Sequence, residues 1–235
     1  MVNPSGPYPG RQLFVGLTRE GRPCFAYLVT GRSPQSRQRK AIAIANTIQI
    51  GPLGDVPYDP LRHYNAVKYD DISGVVAVSN GIQTEAIYET YKLLLNVNAP
   101  AKEDILGNIL ESANAEPDSL HTPRIGGIII PGDGNFYSAI GIKAHNTPAI
   151  AQKINLSPGS MTGVSTYKGD IDAPEATDTA APFPEIEFEG TTAAEIAQYM
   201  HDMSFATYNG DDIRVCSVGG LYSGNKWEIA IVNNY

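Results

Sequence analysis

The chain has 235 residues, of which 42% are hydrophobic and 18% charged, an ordinary composition for a globular protein long enough to bury a core. Its formal net charge of −8 at pH 7 argues against nucleic acid as the main partner, because that affinity depends on many Lys and Arg side chains that neutralise phosphates. We find no apolar run near the ~20 residues of a membrane span and no signal-peptide pattern, so we expect a cytoplasmic protein without a membrane partner.

The expected strands are β-branched or aromatic runs bounded by Gly, Pro, Asn or Asp. In chain order they are Gln12–Thr18, Cys24–Thr30, Ile42–Ile50, Gly74–Ser79, Ile125–Pro131, Phe136–Lys143, Thr162–Tyr167, Val215–Leu221 and Trp227–Val232. The first two are close enough to form a hairpin. The turn Gly132-Asp133-Gly134 predicts a second hairpin between Ile125–Pro131 and Phe136–Lys143.

Three segments have helical signatures. Thr84–Leu95 and Glu103–Ala113 carry apolar residues at helical spacing. Thr192 and Glu195 form a capping box that predicts a third helix to about Met203. Hairpins followed by adjacent helices indicate an α+β fold with mostly antiparallel sheets, rather than a doubly wound parallel sheet.

The segment Gly31–Lys40 follows the second expected strand and is rich in positive charge. It contains Arg32, Arg37, Arg39 and Lys40, with no acidic residue among them. Arginine binds phosphate and carboxylate groups in a bidentate manner, and loops at strand ends commonly carry binding residues. The segment therefore predicts a site for an anionic small molecule, with a solvated basic turn as the alternative.

Further polar clusters lie at the ends of other apolar runs. In His63–Val67, the hydroxyl of Tyr64 is a candidate donor to an oxyanion, unless the ring serves only for packing. Ser79-Asn80-Gly81 precedes a helix, where it either offers backbone N–H groups to a ligand or caps the helix.

Two more clusters leave similar alternatives. Arg124, in the run His121–Gly127, is either a binding residue or part of a structural salt bridge. Ser165-Thr166-Tyr167 offers hydroxyl groups either to a ligand or to water.

The acidic, Pro-rich segment Asp170–Glu189 contains no Lys or Arg and predicts a surface excursion or lid, with a disordered linker as the alternative. Cys24 and Cys216 lie in apolar runs and are expected to be buried free thiols, with a disulfide between them as the alternative. Zinc-ligand spacings, standard nucleotide motifs and nucleophile signatures are absent from the sequence, so we expect no metal and no cofactor.

Taken together and in order, the clusters G-R-S-x-x-x-R, H-Y-N-A-V, S-N-G, T-P-R-I and S-T-Y resemble the archaeal-type IMP cyclohydrolase family. The similarity runs from about Arg11 to Tyr167, and more weakly to the C-terminus. It implies a four-layer αββα sandwich of the N-terminal-nucleophile hydrolase type, in one domain spanning residues 1–235. The implied reaction closes 5-formamidoimidazole-4-carboxamide ribotide to IMP with loss of water, in purine biosynthesis.

The resemblance also implies a set of site residues. Its catalytic members are Tyr64, which would donate to the former formyl oxygen, Arg37 near the same charge, and Asn80 at the base or carboxamide. The substrate-binding members are Arg32 and Ser33 at the phosphate, with Thr166 and Tyr167 as helpers, Thr122 and Arg124 at the base or carboxamide, and Asn65, Ser79 and Gly81. Arg39 and Lys40 are expected to be solvated.

Two features depart from the family pattern, namely His121 and the acidic insert near 170–189. A purine-nucleotide-binding sensor on the same fold is the alternative function. An N-terminal-nucleophile amidase is disfavoured because the sequence starts with Met1-Val2. The expected partner is a small purine ribotide, and the many short strands are compatible with a homo-oligomer.

Overall fold

The computed structural model describes residues 8–131, 136–178 and 183–235. It is a mixed α/β structure in which antiparallel sheets dominate and helices are few. The predicted turn Gly132-Asp133-Gly134 lies outside the described residues.

The elements of the first half are β1 Arg11–Leu17, β2 Pro23–Thr30, α1 Pro34–Arg37, β3 Arg39–Ile44, β4 Thr47–Pro52, β5 Tyr64–Tyr69, β6 Val76–Ser79, α2 Gln83–Asn96 and α3 Glu103–Ala113. Those of the second half are β7 Arg124–Pro131, β8 Phe136–Lys143, β9 Ile150–Lys153, β10 Ser160–Ser165, β11 Tyr167–Lys168, β12 Glu175–Ala176, β13 Glu185–Glu187, α4 Ala193–Met203, β14 Thr207–Tyr208, β15 Asp211–Asp212, β16 Arg214–Tyr222 and β17 Trp227–Asn233.

Two large sheets organise the chain. A six-stranded sheet has the order β13-β10-β1-β2-β16-β17, and a seven-stranded sheet has the order β3-β4-β5-β6-β7-β8-β9. Neighbouring strands in both sheets are antiparallel. The pairings β1–β2 and β7–β8 confirm both predicted hairpins.

The run Ile42–Ile50, expected as one strand, is instead part of a hairpin. The chain turns between β3 and β4, where Ala45 has a φ of 49°. No Gly or Pro marks this turn, so the β-branched residues on either side read as one continuous run. No strand was expected at the cluster around Tyr64, but Tyr64 is the first residue of β5.

The hydrophobic core has three layers of contact. Strands from both large sheets bury their facing side chains against one another, with Leu13, Phe25, Ile48 and Ile125 among the residues that have no exposed surface. On the outer face of the six-stranded sheet, α4 packs over β2 and β16. On the outer face of the seven-stranded sheet, α2 and α3 pack over β6, β7 and β8.

All three predicted helices are confirmed. Helix α2 extends the prediction by one residue at each end, and α3 has the predicted bounds. Helix α4 begins after Thr192, whose hydroxyl accepts from the backbone N–H of Glu195, and the Glu195 carboxylate accepts from the backbone N–H of Thr192 in return. This reciprocal pair satisfies donors that the first turn of a helix otherwise leaves free.

The acidic segment is anchored to the rest of the fold at several points. Strand β12 pairs with β11, and β13 extends the six-stranded sheet by pairing with β10. The side chains of Ile171 and Phe188 are buried in hydrophobic clusters. The described parts of this insert therefore contribute to the packing.

Several strand ends meet at one end of the two sheets. Because neighbouring strands run in opposite directions, the starts of β1, β3, β5 and β7 lie near the end of β2. The residues at these positions are Arg11, Arg39, Tyr64, Arg124 and Thr30. The polar clusters of the sequence are thus gathered by the antiparallel topology.

No helix within the described ranges is both long enough and apolar enough to cross a membrane.

Replacing Thr192 by Ala should lower the free energy of unfolding by about 1 kcal/mol, because the cap to the Glu195 N–H is lost. Thr192→Ser keeps a hydroxyl at the same place and serves as the matched control. Denaturant unfolding monitored by circular dichroism measures both. An equal loss in the two variants would show that the hydroxyl is not the stabilising group.

Candidate active site

A cavity of about 590 Å³ opens at the end of the two sheets where the polar strand ends meet. Its wall includes residues from β1, β2, the basic loop around α1, the segment before β5, the segment before β7, and the β14–β15 hairpin. The charged members of this wall are Arg11, Arg32, Arg39, Arg62, Asp59, Glu116 and Asp118.

Glu116 is the buried carboxylate at the centre of this charged group. Its Oε1 lies 2.9 Å from Nη1 of Arg124, and its Oε2 lies 3.1 Å from Nη2 of Arg11. The Glu116 side chain is only 1% exposed. Burial raises the pKa of the Glu116 carboxyl above its ordinary value, although Arg11 and Arg124 act in the opposite direction.

Arg32 and Arg39 also line the cavity, and neither contacts a carboxylate in the part of the chain that the structure describes. Arg39 is 4% exposed and donates from Nε to the carbonyl of Ser36 at 2.7 Å. Burial lowers the pKa of its guanidinium, which reflects the cost of a buried cation without a counter-charge. An anion in the cavity would supply that counter-charge.

Aromatic rings hold Arg32 in place. Its guanidinium carbon lies 5.3 Å from the ring centre of Tyr8 and 5.8 Å from that of Tyr208, and its Nη1 donates to the carbonyl of Ile171 at 2.9 Å. Cation–π contacts of this kind stabilise an arginine whose remaining N–H groups stay available. Arg32 therefore combines a fixed position with free donors.

Serines border the two arginines. Ser33 caps α1 by accepting from the Ser36 backbone N–H at 3.1 Å, and its hydroxyl contacts the Ser36 hydroxyl at 2.9 Å. Both serines line the cavity. The predicted pair Arg32 and Ser33 is thus found together at the cavity wall.

The structure places Arg37 and Arg39 differently from the sequence expectation. Arg37 is not part of the cavity wall: its Nη1 donates to the carbonyl of Arg32 at 2.6 Å and its Nη2 pairs with Asp211 at 2.5 Å. Arg39, expected to be solvated, is buried at the cavity. Arg39 and Ala41 are the buried residues that alternate along β3, so strand alternation was the signal that could have placed Arg39 inward.

Thr122, Thr166 and Tyr167 meet at a second part of the site. The hydroxyl of Thr122 contacts that of Tyr167 and lies 2.6 Å from Oδ2 of Asp118. The Thr166 hydroxyl accepts from the Arg11 backbone N–H at 3.0 Å and donates to the carbonyl of Pro9, so it holds the backbone rather than facing the cavity. Burial raises the pKa of Tyr167 to about 12.

The Ser79-Asn80-Gly81 turn lies behind the cavity wall and does not line it. The Asn80 side chain is fully buried, donates to the carbonyl of Pro123 at 2.8 Å and accepts from the Ile125 N–H at 2.9 Å. A Cβ on Gly81 would lie 2.1 Å from Nη1 of Arg124, so the absence of a side chain lets that guanidinium reach Glu116. These groups position Arg124.

Ser79 and Asn65 have structural partners as well. The Ser79 hydroxyl contacts that of Thr84 at 2.5 Å, and the Asn65 amide donates to Glu85 at 2.5 Å. Both bonds join the seven-stranded sheet to the start of α2. Neither side chain reaches the cavity wall.

Tyr64 lies between the sheets and interacts electrostatically with Arg11 and Arg39, but it is not part of the cavity wall. It is 5% exposed, and its hydroxyl lies 2.7 Å from that of Tyr27 on β2. The predicted proton donor is therefore brought to the arginines of the site, together with a second tyrosine that sequence reasoning did not find.

Sequence reasoning also missed Arg11, Glu116 and Asp118. The acids lie close together in the segment before β7, and this proximity was the available signal. Within the described ranges, no group of three or more His, Cys, Asp or Glu side chains is arranged to hold a metal ion.

The fold and the cavity together define a mixed α/β protein with two antiparallel sheets and an arginine-rich cavity at the shared sheet end. A family model described as IMP cyclohydrolase-like protein matches residues 8–226, and the chain belongs to this family. The resemblance inferred from the sequence is thereby confirmed.

Curated relatives agree with the family match. A protein of Methanocaldococcus jannaschii named IMP cyclohydrolase is 32% identical over 196 residues, which cover 82% of this chain and 85% of the relative. Proteins with the same name from Methanococcus aeolicus and Methanothrix thermoacetophila are 28% and 25% identical, over 83% and 96% of this chain and 88% and 98% of their own lengths.

We expect inorganic phosphate to raise the Tm of the wild-type protein, because an anion would neutralise Arg32 and Arg39. A ligand at 100 times its Kd adds about 2.7 kcal/mol to the free energy of unfolding. Arg39→Gln should lose most of the Tm shift, whereas Arg37→Gln, from the same loop but outside the cavity, should keep it. Differential scanning fluorimetry at constant ionic strength makes the comparison, and equal shifts in the two variants would contradict the anion site.

Proposed function

We propose that this protein is an IMP cyclohydrolase, which closes 5-formamidoimidazole-4-carboxamide ribotide to IMP with loss of water. The observation that carries the proposal is the pair of cavity arginines, Arg32 and Arg39, that have no carboxylate partner among the described residues, in a chain of this family. A ribotide phosphate is an anion that fits them. The small-molecule partner expected from the sequence is consistent with the relatives.

In this proposal the phosphate binds to Arg32, Arg39 and the hydroxyl of Ser33. Arginine presents paired N–H groups to phosphate oxygens, and charge-assisted bonds of this kind are about twice as strong as neutral ones. Arg37 has a supporting role, because it holds the carbonyl of Arg32 and the neighbouring hairpin at Asp211. The positive charge of these arginines would thus orient the substrate, with its phosphate end toward them and its base end away from them.

The base end of the substrate would lie toward Thr122, Tyr167 and Asp118, which offer hydroxyl and carboxylate groups to the same cavity. Arg124 would not contact the substrate but would hold the Glu116 carboxylate in place through their ion pair. Asn80, Ser79 and Gly81 support Arg124, while Asn65 and Thr166 support the backbone around the site.

The chemistry requires one C–N bond to form and one C–O bond to break. The carboxamide nitrogen attacks the formyl carbon and loses one proton. The formamide nitrogen loses a second proton, and the former formyl oxygen leaves as water with both. Holding the two groups in attack geometry can supply several kcal/mol of the barrier, with ~7–11 kcal/mol in the best intramolecular cases.

Two side chains suit the proton transfers. Glu116 is a buried carboxylate at the cavity with a raised pKa, which suits a group that accepts the carboxamide proton. Tyr64 would donate to the oxygen that becomes negative after attack, and Arg11, which interacts electrostatically with Tyr64, favours negative charge there. No metal or cofactor is needed for this sequence of steps.

We further propose that the fold is the four-layer αββα sandwich of the N-terminal-nucleophile hydrolase type. The packing of α4 outside one sheet, and of α2 and α3 outside the other, supports this assignment. We also treat residues 1–235 as one domain. The pairing of β2 with β16 supports this view, because it joins the two ends of the chain in one sheet.

The direct test is to follow IMP formation by absorbance, with purified protein and the formamido ribotide. A non-catalytic purine-nucleotide sensor on the same fold would bind IMP without turnover. Turnover by the wild-type protein establishes the enzyme, and tight IMP binding without turnover would establish the sensor instead.

Tyr64→Phe should lower kcat at least tenfold while IMP binding, measured by calorimetry, stays within about threefold of wild type. The variant removes one proposed donor to the developing oxyanion and keeps the ring. Tyr69→Phe is the matched control, since Tyr69 lies on the same strand with its hydroxyl on the carbonyl of Ala45. Unchanged turnover in Tyr64→Phe would remove Tyr64 from the mechanism.

The role of Glu116 predicts a particular pH dependence. Because the pKa of Glu116 is raised, the carboxyl takes up its proton at a higher pH than an ordinary glutamate does, and kcat/KM should fall as the pH is lowered through that value. Glu116→Gln should lower kcat/KM by about 100-fold or more and abolish this acidic limb.

Asp118→Asn is the control for the Glu116 variant, because it removes another acid from the same cavity wall. It should retain the acidic limb. The assignment of the proton acceptor is wrong if Glu116→Gln keeps the limb and Asp118→Asn loses it.

A further inference from the structure

Two tyrosine hydroxyls meet in the core beneath the cavity. Tyr27 projects from β2 of the six-stranded sheet, and Tyr64 begins β5 of the seven-stranded sheet. Their hydroxyl oxygens are 2.7 Å apart. This bond links the two sheets at the point where the site residues converge.

The two tyrosines differ in what else their hydroxyls can reach. Tyr27 is completely buried, and within the described residues its hydroxyl has Tyr64 as its hydrogen-bond partner and no other. Tyr64 retains 5% exposure and interacts electrostatically with both Arg11 and Arg39, which line the cavity, whereas Tyr27 interacts with Arg11 of these two. Tyr64 is therefore the more exposed member of the pair and the one that interacts with both cavity arginines.

This difference favours one direction of the hydrogen bond, in which Tyr27 is the donor. Burial raises the pKa of Tyr27 well above its ordinary value, so Tyr27 keeps its proton. If Tyr64 were the donor, the Tyr27 proton would have no acceptor in the core, and a buried donor without a partner is costly. Tyr27 therefore donates to Tyr64, and the Tyr64 proton is free to point elsewhere.

The neighbouring arginines limit the acceptors that are available to the Tyr64 proton. Arg11 and Arg39 provide no acceptor for it, and among the described residues the Tyr64 hydroxyl has Tyr27 as its hydrogen-bond partner, so a substrate oxygen in the cavity is a suitable acceptor. As Tyr64 gives up its proton, the charge on its oxygen is stabilised by the Tyr27 O–H and by Arg11. Tyr27 thus influences both the orientation and the strength of the donor.

We propose that Tyr27 is a positioning residue of the cyclisation site: its hydroxyl donates to Tyr64 and directs the Tyr64 O–H toward the oxygen that leaves as water. This inference rests on the proposed function and adds to it a residue that never touches the substrate. Tyr27 has no counterpart among the motifs that carry the family resemblance.

The test is the variant Tyr27→Phe, which removes one oxygen and keeps the buried ring. We expect kcat to fall about tenfold with KM for the ribotide unchanged, because the substrate contacts remain while the donor loses its orientation. The double variant Tyr27→Phe/Tyr64→Phe should be no slower than Tyr64→Phe alone, since Tyr27 acts only through Tyr64.

Tyr91→Phe is the matched control for losing a buried tyrosine hydroxyl, because Tyr91 donates to the carbonyl of Lys102 on the outer side of the seven-stranded sheet. It should leave kcat unchanged. Wild-type turnover together with unchanged kcat in Tyr27→Phe, or additive losses in the double variant, would overturn the role of Tyr27 alone. Absence of turnover by the wild-type protein would overturn the proposed function and this inference with it.

Discussion

The buried ion pairs of Glu116 with Arg11 and Arg124 are the constraint on which the rest of the site depends. They join the start of β1 to the start of β7, and so fix the two sheets to each other at their polar end. Removing one partner from such a buried group leaves an uncompensated charge, which costs about 3–5 kcal/mol. The ion pairs therefore hold Arg11 and Arg124 in fixed positions at the polar end of the two sheets.

The Glu116 carboxylate neutralises only part of the positive charge of the arginines at this end of the sheets. Arg32 and Arg39 face the cavity without a carboxylate in the described part of the chain, and burial disfavours the charged form of Arg39. In the proposed function, the substrate phosphate supplies the missing negative charge. Binding energy from a phosphate that does not react can then position the formamide and carboxamide groups for ring closure.

Local signals in the sequence were sufficient for much of the fold and for part of the site. Apolar spacing located α2 and α3, the capping box located α4, and a basic loop after β2 located Arg32 and Ser33. Arg37 and Arg39 could not be told apart by composition, because Arg37 ends the short helix α1 whereas Arg39 begins β3 and is buried.

Long-range contacts account for the remainder. Arg11 and Glu116 are 105 residues apart in sequence, and Tyr27 and Tyr64 are 37 apart on different sheets. No local pattern encodes either pairing. The side chain of Asn80, a polar residue in a conspicuous turn, bonds to Pro123, Ile125 and Gln83 in the described part of the chain, and the turn sequence does not reveal these contacts.

The most direct test of the central claim compares the formamido ribotide with the riboside that lacks its phosphate, in the wild-type protein and in Arg39→Gln. If Arg32 and Arg39 bind the phosphate, wild-type kcat/KM should fall about 100-fold or more when the phosphate is absent. The preference of Arg39→Gln for the ribotide should be about tenfold smaller than that of wild type. The same preference in both proteins would contradict the account.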